Sequence, residues 1–149
     1  MEQVARLPQF RQAHTVLLYW SMDDEVQTHD FVEQYAQCKC LLLPCVDGDL
    51  LRLRQFTGID SMRPGDQFGV AEPIGPEFTA IDRIDMIVVP GVAFDTHGNR
   101  MGRGRGFYDR LLKTTTAYKV GVAFRFQVLE SIPVDAHDIA MDCVISEPE

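Results

Sequence analysis

Residues 85–113 read Asp-Met-Ile-Val-Val-Pro-Gly-Val-Ala-Phe-Asp-Thr-His-Gly-Asn-Arg-Met-Gly-Arg-Gly-Arg-Gly-Phe-Tyr-Asp-Arg-Leu-Leu-Lys. The opening Asp85-Met-Ile-Val-Val-Pro90 reads as a strand: after Asp85 it is apolar throughout and rich in β-branched residues, as strands covered on both faces are. Residues 92–95 and 99–101 flank a turn at Thr96-His97-Gly98. The chain then alternates glycine and arginine from Gly102 to Gly106 and enters a helix predicted over 106–113. An apolar strand, a glycine loop and a helix, in that order, form the building step of a parallel α/β sheet.

The same alternation extends outward. Toward the N-terminus, residues 15–20, Thr-Val-Leu-Leu-Tyr-Trp, and residues 39–46 are further buried strands. Residues 50–56 pair back across the turn Asp47-Gly48-Asp49. Residues 4–11 read as the last turns of a helix. Thr28 is a suitable N-cap for a helix through Gln37, with Phe31, Val32 and Tyr35 on one face. Residues 57–76 are rich in Gly and Pro and form a long loop, a kind that is often functional when ordered. Toward the C-terminus, residues 118–124 are a strand, a short helix lies near 127–131, and residues 142–146 close the sheet. The expected fold is a three-layer α/β domain over 1–149, with a mostly parallel sheet and helices on both faces. There is no internal repeat, low-complexity tract or linker.

The chain has 149 residues, 46% hydrophobic and 24% charged, enough for one sizeable core. No apolar run approaches the roughly 20 residues of a membrane span. The start, Met-Glu-Gln-Val-Ala-Arg, lacks the apolar core of a signal peptide, so a cytoplasmic location without membrane association is expected. The four cysteines include no Cys-x-x-Cys pair, which disfavours a zinc or redox site and leaves buried free thiols as the expectation. The net charge of −8, from 14 basic and 22 acidic residues, disfavours a nucleic-acid partner. Against that background Arg100, Arg103, Arg105 and Arg110 form a local basic cluster, suited to a small anion.

Glycine lets a backbone close on a ligand, unpaired N–H groups at a helix start point outward, and arginine forks match phosphate oxygens. Gly-Arg alternation also occurs in solvated loops and in RNA-binding segments; here it runs directly into an ordered helix, which favours a ligand loop. The spacing fits neither Gly-x-x-x-x-Gly-Lys-Ser/Thr nor Gly-x-Gly-x-x-Gly, so on its own it says anion site and leaves the ligand unnamed. On the residues alone Asp109 reads as a first-turn residue stabilised by the helix dipole, Asp142 as a strand-end residue in a turn, and Trp20 as core. His14, His29, His97 and His137 have no metal-ligand spacing, and the adjacent pair His137-Asp138 reads as structural.

Pro90-Gly-Val-Ala-Phe-Asp95 followed by Gly98-Asn-Arg-Met-Gly-Arg-Gly-Arg-Gly-Phe-Tyr-Asp109 closely resembles the 5-formyltetrahydrofolate cyclo-ligases, also called 5,10-methenyltetrahydrofolate synthetases. Tyr19-Trp-Ser-Met-Asp-Asp-Glu-Val26, Thr57-Gly-Ile-Asp60, Phe68-Gly-Val-Ala-Glu-Pro73, Gly121-Val-Ala-Phe124, Ile132-Pro133, His137-Asp138 and Met141-Asp-Cys-Val-Ile145 extend the resemblance along nearly the whole chain. It implies a three-layer α/β fold like that of phosphosugar isomerases and CoA transferases. It also implies an ATP- and Mg²⁺-dependent ligase of one-carbon metabolism. Such enzymes convert 5-formyltetrahydrofolate, with or without a polyglutamate tail, to 5,10-methenyltetrahydrofolate, ADP and phosphate.

By the same resemblance, Arg100, Met101, Gly102, Arg103, Gly104, Arg105, Gly106, Phe107 and Tyr108 contact ATP, with Arg103 and Arg105 on its phosphates as the catalytic pair. Trp20, Glu25 and Phe107 meet the folate, and Asp109 and Asp142 hold magnesium. Two departures stand out. Relatives begin with an additional lysine- and arginine-rich helix that helps hold ATP, and this chain is expected to lack it. Phe107 stands where relatives often have tyrosine, which keeps the ring and loses one hydroxyl. A monomer is expected. A phosphosugar isomerase and a non-catalytic binding module are the rival readings; the first has no need of ATP or of metal carboxylates, and the acidic balance opposes an RNA-associated module.

Overall fold

The structure, a computed structural model, describes residues 1–65, 70–136 and 138–148. Helices α1 (Glu2–Arg6) and α2 (Pro8–Gln12) lead into β1 (Thr15–Leu17), followed by α3 (His29–Tyr35), β2 (Cys40–Asp47) and β3 (Leu50–Gln55). Short strands β4 (Met62–Pro64), β5 (Ala71–Pro73) and β6 (Glu77–Phe78) precede the central β7 (Met86–Val89). Then come β8 (Ala93–Asp95), β9 (Arg100–Met101), α4 (Phe107–Leu112), β10 (Tyr118–Phe124), β11 (Val128–Leu129) and β12 (Cys143–Glu147).

The main sheet runs β12-β10-β7-β1-β2-β3-β6. From β12 to β2 every pairing is parallel, while β3 and β6 add an antiparallel edge. β1 lies between β2 and β7: Thr15 pairs with Cys40 and Val16 with Met86. The Asp85 carboxylate fixes its entry, accepting the N–H groups of His14 at 2.9 Å and Thr15 at 3.0 Å.

Alternating side chains divide the core between the two faces, as the strand period of two requires. Val16, Leu18, Leu41, Leu43, Met86 and Val88 pack on one face with Val4 of α1, Phe10 of α2 and Phe31 and Val32 of α3. Leu17, Leu42, Ile87 and Val89 pack on the other with Phe94 and with Leu112 of α4. Helices therefore cover both faces, in three layers. The fully buried Phe94 ring lies so close to Gly121 of β10 that a Cβ there would sit 2.4 Å from it, which accounts for a glycine inside a central strand.

Several expectations need correction. The helix over 4–11 is two helices broken at Leu7, which is extended at φ −65°, ψ 134°, because a residue before proline avoids the helical region and Pro8 suits a helix start. Thr28 occupies the N-cap position of α3 but makes no side-chain cap; its hydroxyl serves the preceding loop instead. The stretch near 127–131 is a 3₁₀ turn, Arg125–Gln127, followed by β11. The loop over 57–76 contains the β4–β5 pair, and its Phe68 and Gly69 lie outside the described residues. The cysteines are free, yet Cys45 alone among them is buried; Cys38 is exposed beyond α3, and Cys40 and Cys143 are half-exposed at strand starts.

Candidate active site

Chain order reverses between β1 and β7, since β2 lies to one side of β1 and all later parallel strands to the other. In open α/β sheets ligands bind at the carboxyl ends of the strands flanking such a reversal. A cleft of about 480 Å³ lies there, within the range of small-molecule sites. Its lining includes Tyr19, Trp20, Met22 and Glu25 after β1, Pro90 and Gly91 after β7, and all residues from Arg100 to Asp109.

The loop after β1 is held by its own polar groups. Ser21 N–H donates to Thr28 Oγ1 at 3.1 Å, Thr28 N–H donates to Ser21 Oγ at 2.9 Å, and the Thr28 hydroxyl donates to the Tyr19 carbonyl at 2.6 Å. The Tyr19 hydroxyl donates to the Val26 carbonyl at 2.8 Å. This frame presents Trp20, stacked at 3.8 Å on the His29 ring, whose Nε2–H donates to the Ser21 carbonyl at 2.9 Å. Glu25 accepts the Met22 N–H at 2.8 Å through one oxygen. Burial raises the Glu25 pKa above the ordinary value, against the Met22 hydrogen bond and the charge of Arg103.

The glycine loop forms the facing wall. Arg100 is its anchor: its side chain is 7% exposed, its Nε–H donates to the Pro90 carbonyl at 2.7 Å, its guanidinium lies 5.2 Å from the Tyr108 ring centre, and Nη1 is 3.7 Å from Asp109 Oδ1. Burial lowers its pKa, while Tyr108, Asp109 and Asp138 work the other way. Gly104, at φ 92°, and Gly106, at φ 70°, adopt backbone that other residues rarely take. A Cβ on Gly104 would meet no atom within 4 Å, so this part of the loop borders open space. Arg105 and Arg110 lie 5.4 and 5.5 Å from the Phe107 ring centre. Arg110 also donates to the carbonyls of Arg105 at 3.0 Å and Asp49 at 2.6 Å, tying the loop to the β2–β3 turn. Arg103 Nη2 reaches to 3.6 Å from Asp24 Oδ2, so the two walls approach at the mouth.

The structure thus brings Trp20, Glu25, Arg100 through Tyr108, and Asp109 to one cleft. Asp142 is elsewhere: it precedes β12, its Oδ2 accepts the Lys119 N–H at 2.8 Å, and it is not among the described residues lining the cleft. Three acidic residues without an assigned role in the sequence reading do line it: Glu72, Asp135 and Asp138. Glu72 is buried and accepts the Val46 N–H at 2.8 Å. Asp138, read as structural together with His137, accepts the Asp135 N–H at 2.9 Å and reaches the cleft, while His137 lies outside the described residues. The spacing of Asp135 and Asp138 signals a turn; only tertiary structure brings the two to the cleft of the glycine loop.

The profile of the 5-formyltetrahydrofolate cyclo-ligase family matches residues 1–147. The chain is 30% identical to 5-formyltetrahydrofolate cyclo-ligase of Mus musculus, over 93% of this chain and 76% of that one. It is 33% identical to the Escherichia coli K12 protein of the same name, over 90% and 78%. The NMR structure of Aquifex aeolicus 5,10-methenyltetrahydrofolate synthetase superimposes with a TM-score of 0.85 at 38% identity, covering 97% of this chain and 74% of that one. An arginine-bearing glycine loop facing an aromatic and a carboxylate at the sheet's reversal point, with a family match over residues 1–147, leads to one conclusion: the chain belongs to the 5-formyltetrahydrofolate cyclo-ligase family.

Proposed function

We propose that this chain, acting as a single domain over 1–149, converts 5-formyltetrahydrofolate and ATP to 5,10-methenyltetrahydrofolate, ADP and phosphate. The observation that carries the reading is the placement of the arginine-bearing glycine loop and the Trp20–Glu25 loop on facing walls of one cleft. The chemistry needs such a meeting. A formyl oxygen is a poor leaving group. Transfer of the γ-phosphoryl group to it releases ADP and leaves an activated imidate. The folate N10 attacks the imidate carbon and loses its proton, and phosphate departs as the ring closes. The protein's part is alignment and charge stabilisation.

Arg103 and Arg105 are both exposed, line the cleft and are proposed to hold the phosphates. Glu25 is proposed to accept from the pterin amino and ring N–H groups, with Trp20 and Phe107 against its flat face. Arg100 and Tyr108, which also line the cleft, brace the nucleotide wall through their mutual contact. The oxygen ligands that magnesium prefers are present in Asp109, on the cleft and 30% exposed. Asp109 is the proposed holder, and the ion would offset negative charge on the phosphates; Asp142, the second holder that the family resemblance implies, does not line this cleft. Cytoplasmic, monomeric action without nucleic acid completes the proposal; among the described residues no helix is long and apolar enough to cross a membrane.

The test is the absorbance of methenyltetrahydrofolate formed from 5-formyltetrahydrofolate, ATP and Mg²⁺. Product is expected only with all three present. No product, or product formed equally without nucleotide, would sink the reading. Trp20 is the single tryptophan, so its emission should change saturably with 5-formyltetrahydrofolate and much less with ATP.

A further inference from the structure

Two stretches lining the cleft come from separate parts of the chain. One is the glycine loop, entered through β9. The other carries Pro133, Asp135 and Asp138, after β11. One buried carboxylate joins them. Asp95 closes β8 and is 2% exposed. Its Oδ1 accepts the backbone N–H of His97 at 2.9 Å and of Asn99 at 3.0 Å. Its Oδ2 accepts Asn99 Nδ2–H at 3.0 Å and, across the gap, the backbone N–H of Ile132 at 3.2 Å. One oxygen therefore closes the turn that leads into Arg100, and the other grips the residue before Pro133. Around it the Thr96 hydroxyl donates to the Glu130 carbonyl at 3.2 Å, and Met141 N–H donates to the Gly98 carbonyl at 2.7 Å. Burial alone would push the carboxyl up, but these donors outweigh it and hold Asp95 at about 2.

We propose that Asp95 is the positioning residue of the cleft, setting the arginine-bearing wall against the wall of Pro133, Asp135 and Asp138 and acting on the nucleotide through Arg100 without touching a ligand. The proposal rests on the nucleotide reading of the cleft. Its physical basis is the convergence of four donors on one carboxylate. An asparagine offers one acceptor and one donor there, so N–H groups on one side would face another N–H. A formally mild change would loosen two walls at once, while the strands beneath keep their own ladders.

The test compares Asp95→Asn with the exchange Asp95→Asn/Asn99→Asp. In the exchange, the carboxylate at 99 accepts from the amide at 95, and the amide oxygen still serves the backbone N–H groups of 97 and 99. The Ile132 N–H is left facing an amide donor. The turn is repaired and the bridge is not. Both proteins are assayed with saturating folate at a temperature where far-UV circular dichroism shows them folded; if Asp95→Asn does not fold, the exchange carries the test. In both, kcat/KM for ATP is expected to fall on the order of 10²-fold, the cost of misplacing a positioned group. The melting temperature should recover in part in the exchange, since the Ile132 N–H stays without an acceptor, while kcat/KM for ATP does not recover. Amide exchange should quicken in 100–106 and 131–136 and stay slow in β7 and β10. Recovery of kcat/KM together with melting temperature, or exchange quickened evenly through the sheet, overturns the proposal. If the native enzyme shows no ATP-dependent turnover, the nucleotide reading fails, and amide exchange alone decides whether Asp95 joins the walls.

Discussion

Arg103 and Arg105 are exposed on the cleft, held among the described residues only by the Arg103–Asp24 pair and the Arg105–Phe107 ring contact, and neither donates a hydrogen bond to another described residue. Arg103→Ala or Arg105→Ala should weaken ATP use on the order of 10²-fold, about 2–3 kcal/mol for a charge-assisted hydrogen bond, with little change in melting temperature. Normal ATP kinetics in both variants would remove the phosphate assignment. Asp109→Asn is expected to raise the Mg²⁺ requirement and leave folate binding nearly intact, whereas Asp142→Asn, away from the cleft, serves as the comparison; an unchanged magnesium titration in Asp109→Asn would return it to a structural role. Asp95 carries a pH prediction. Its carboxyl is held at about 2, below the ordinary value of about 4, so its contribution is complete above the ordinary value and is lost as pH falls through the folded one. Melting temperature should therefore drop between about pH 4 and pH 2, and Asp95→Asn should lack that component. At this scale the glycine-arginine stretch was readable because its residue types carry their chemistry locally. Asp95 and Asp138 were not, because their partners Ile132 and the cleft arrive only through tertiary structure.

Among the elements, the loop between β1 and α3 shows how a sequence signal can be right in place and wrong in purpose. Thr28 stands where a helix cap should, yet its hydroxyl is spent on Tyr19 and Ser21. Thr28 is fully buried, so Thr28→Val would leave the Tyr19 carbonyl and the Ser21 N–H without their partner. The expected cost is about 1–3 kcal/mol, measured by denaturant unfolding, together with weaker folate binding because the loop carries Trp20 and Glu25. A stability loss without any change in folate affinity would show that the loop holds its shape by other means. Strands were legible from uninterrupted apolar runs such as Met86–Val89. Which face each residue takes was not, since a run apolar at every position has no period to read; the parity of Val16 and Leu17 becomes visible only once both faces are seen to be covered.

Across the whole molecule, the α/β class followed from alternating helices and strands, whereas the strand order did not. Nothing local in residues 15–17 says that they will lie in the middle of the sheet. The central position of β1 has a kinetic meaning. Its partners are β2, close in sequence, and β7, which begins at Met86. The middle of the sheet cannot close until the chain has looped back over that distance, and only then do the loops after β1 and β7 face each other. Such long-range parallel pairing is slow to nucleate. In a stopped-flow chevron, Val16→Ala, at the β1–β7 pairing, should mainly slow refolding. Ile145→Ala, on the edge strand β12, should mainly speed unfolding. The order of events on the ribosome follows: the binding cleft is among the last things this polypeptide makes, and a nascent chain stopped before β7 has no site at which a ligand could rescue its folding.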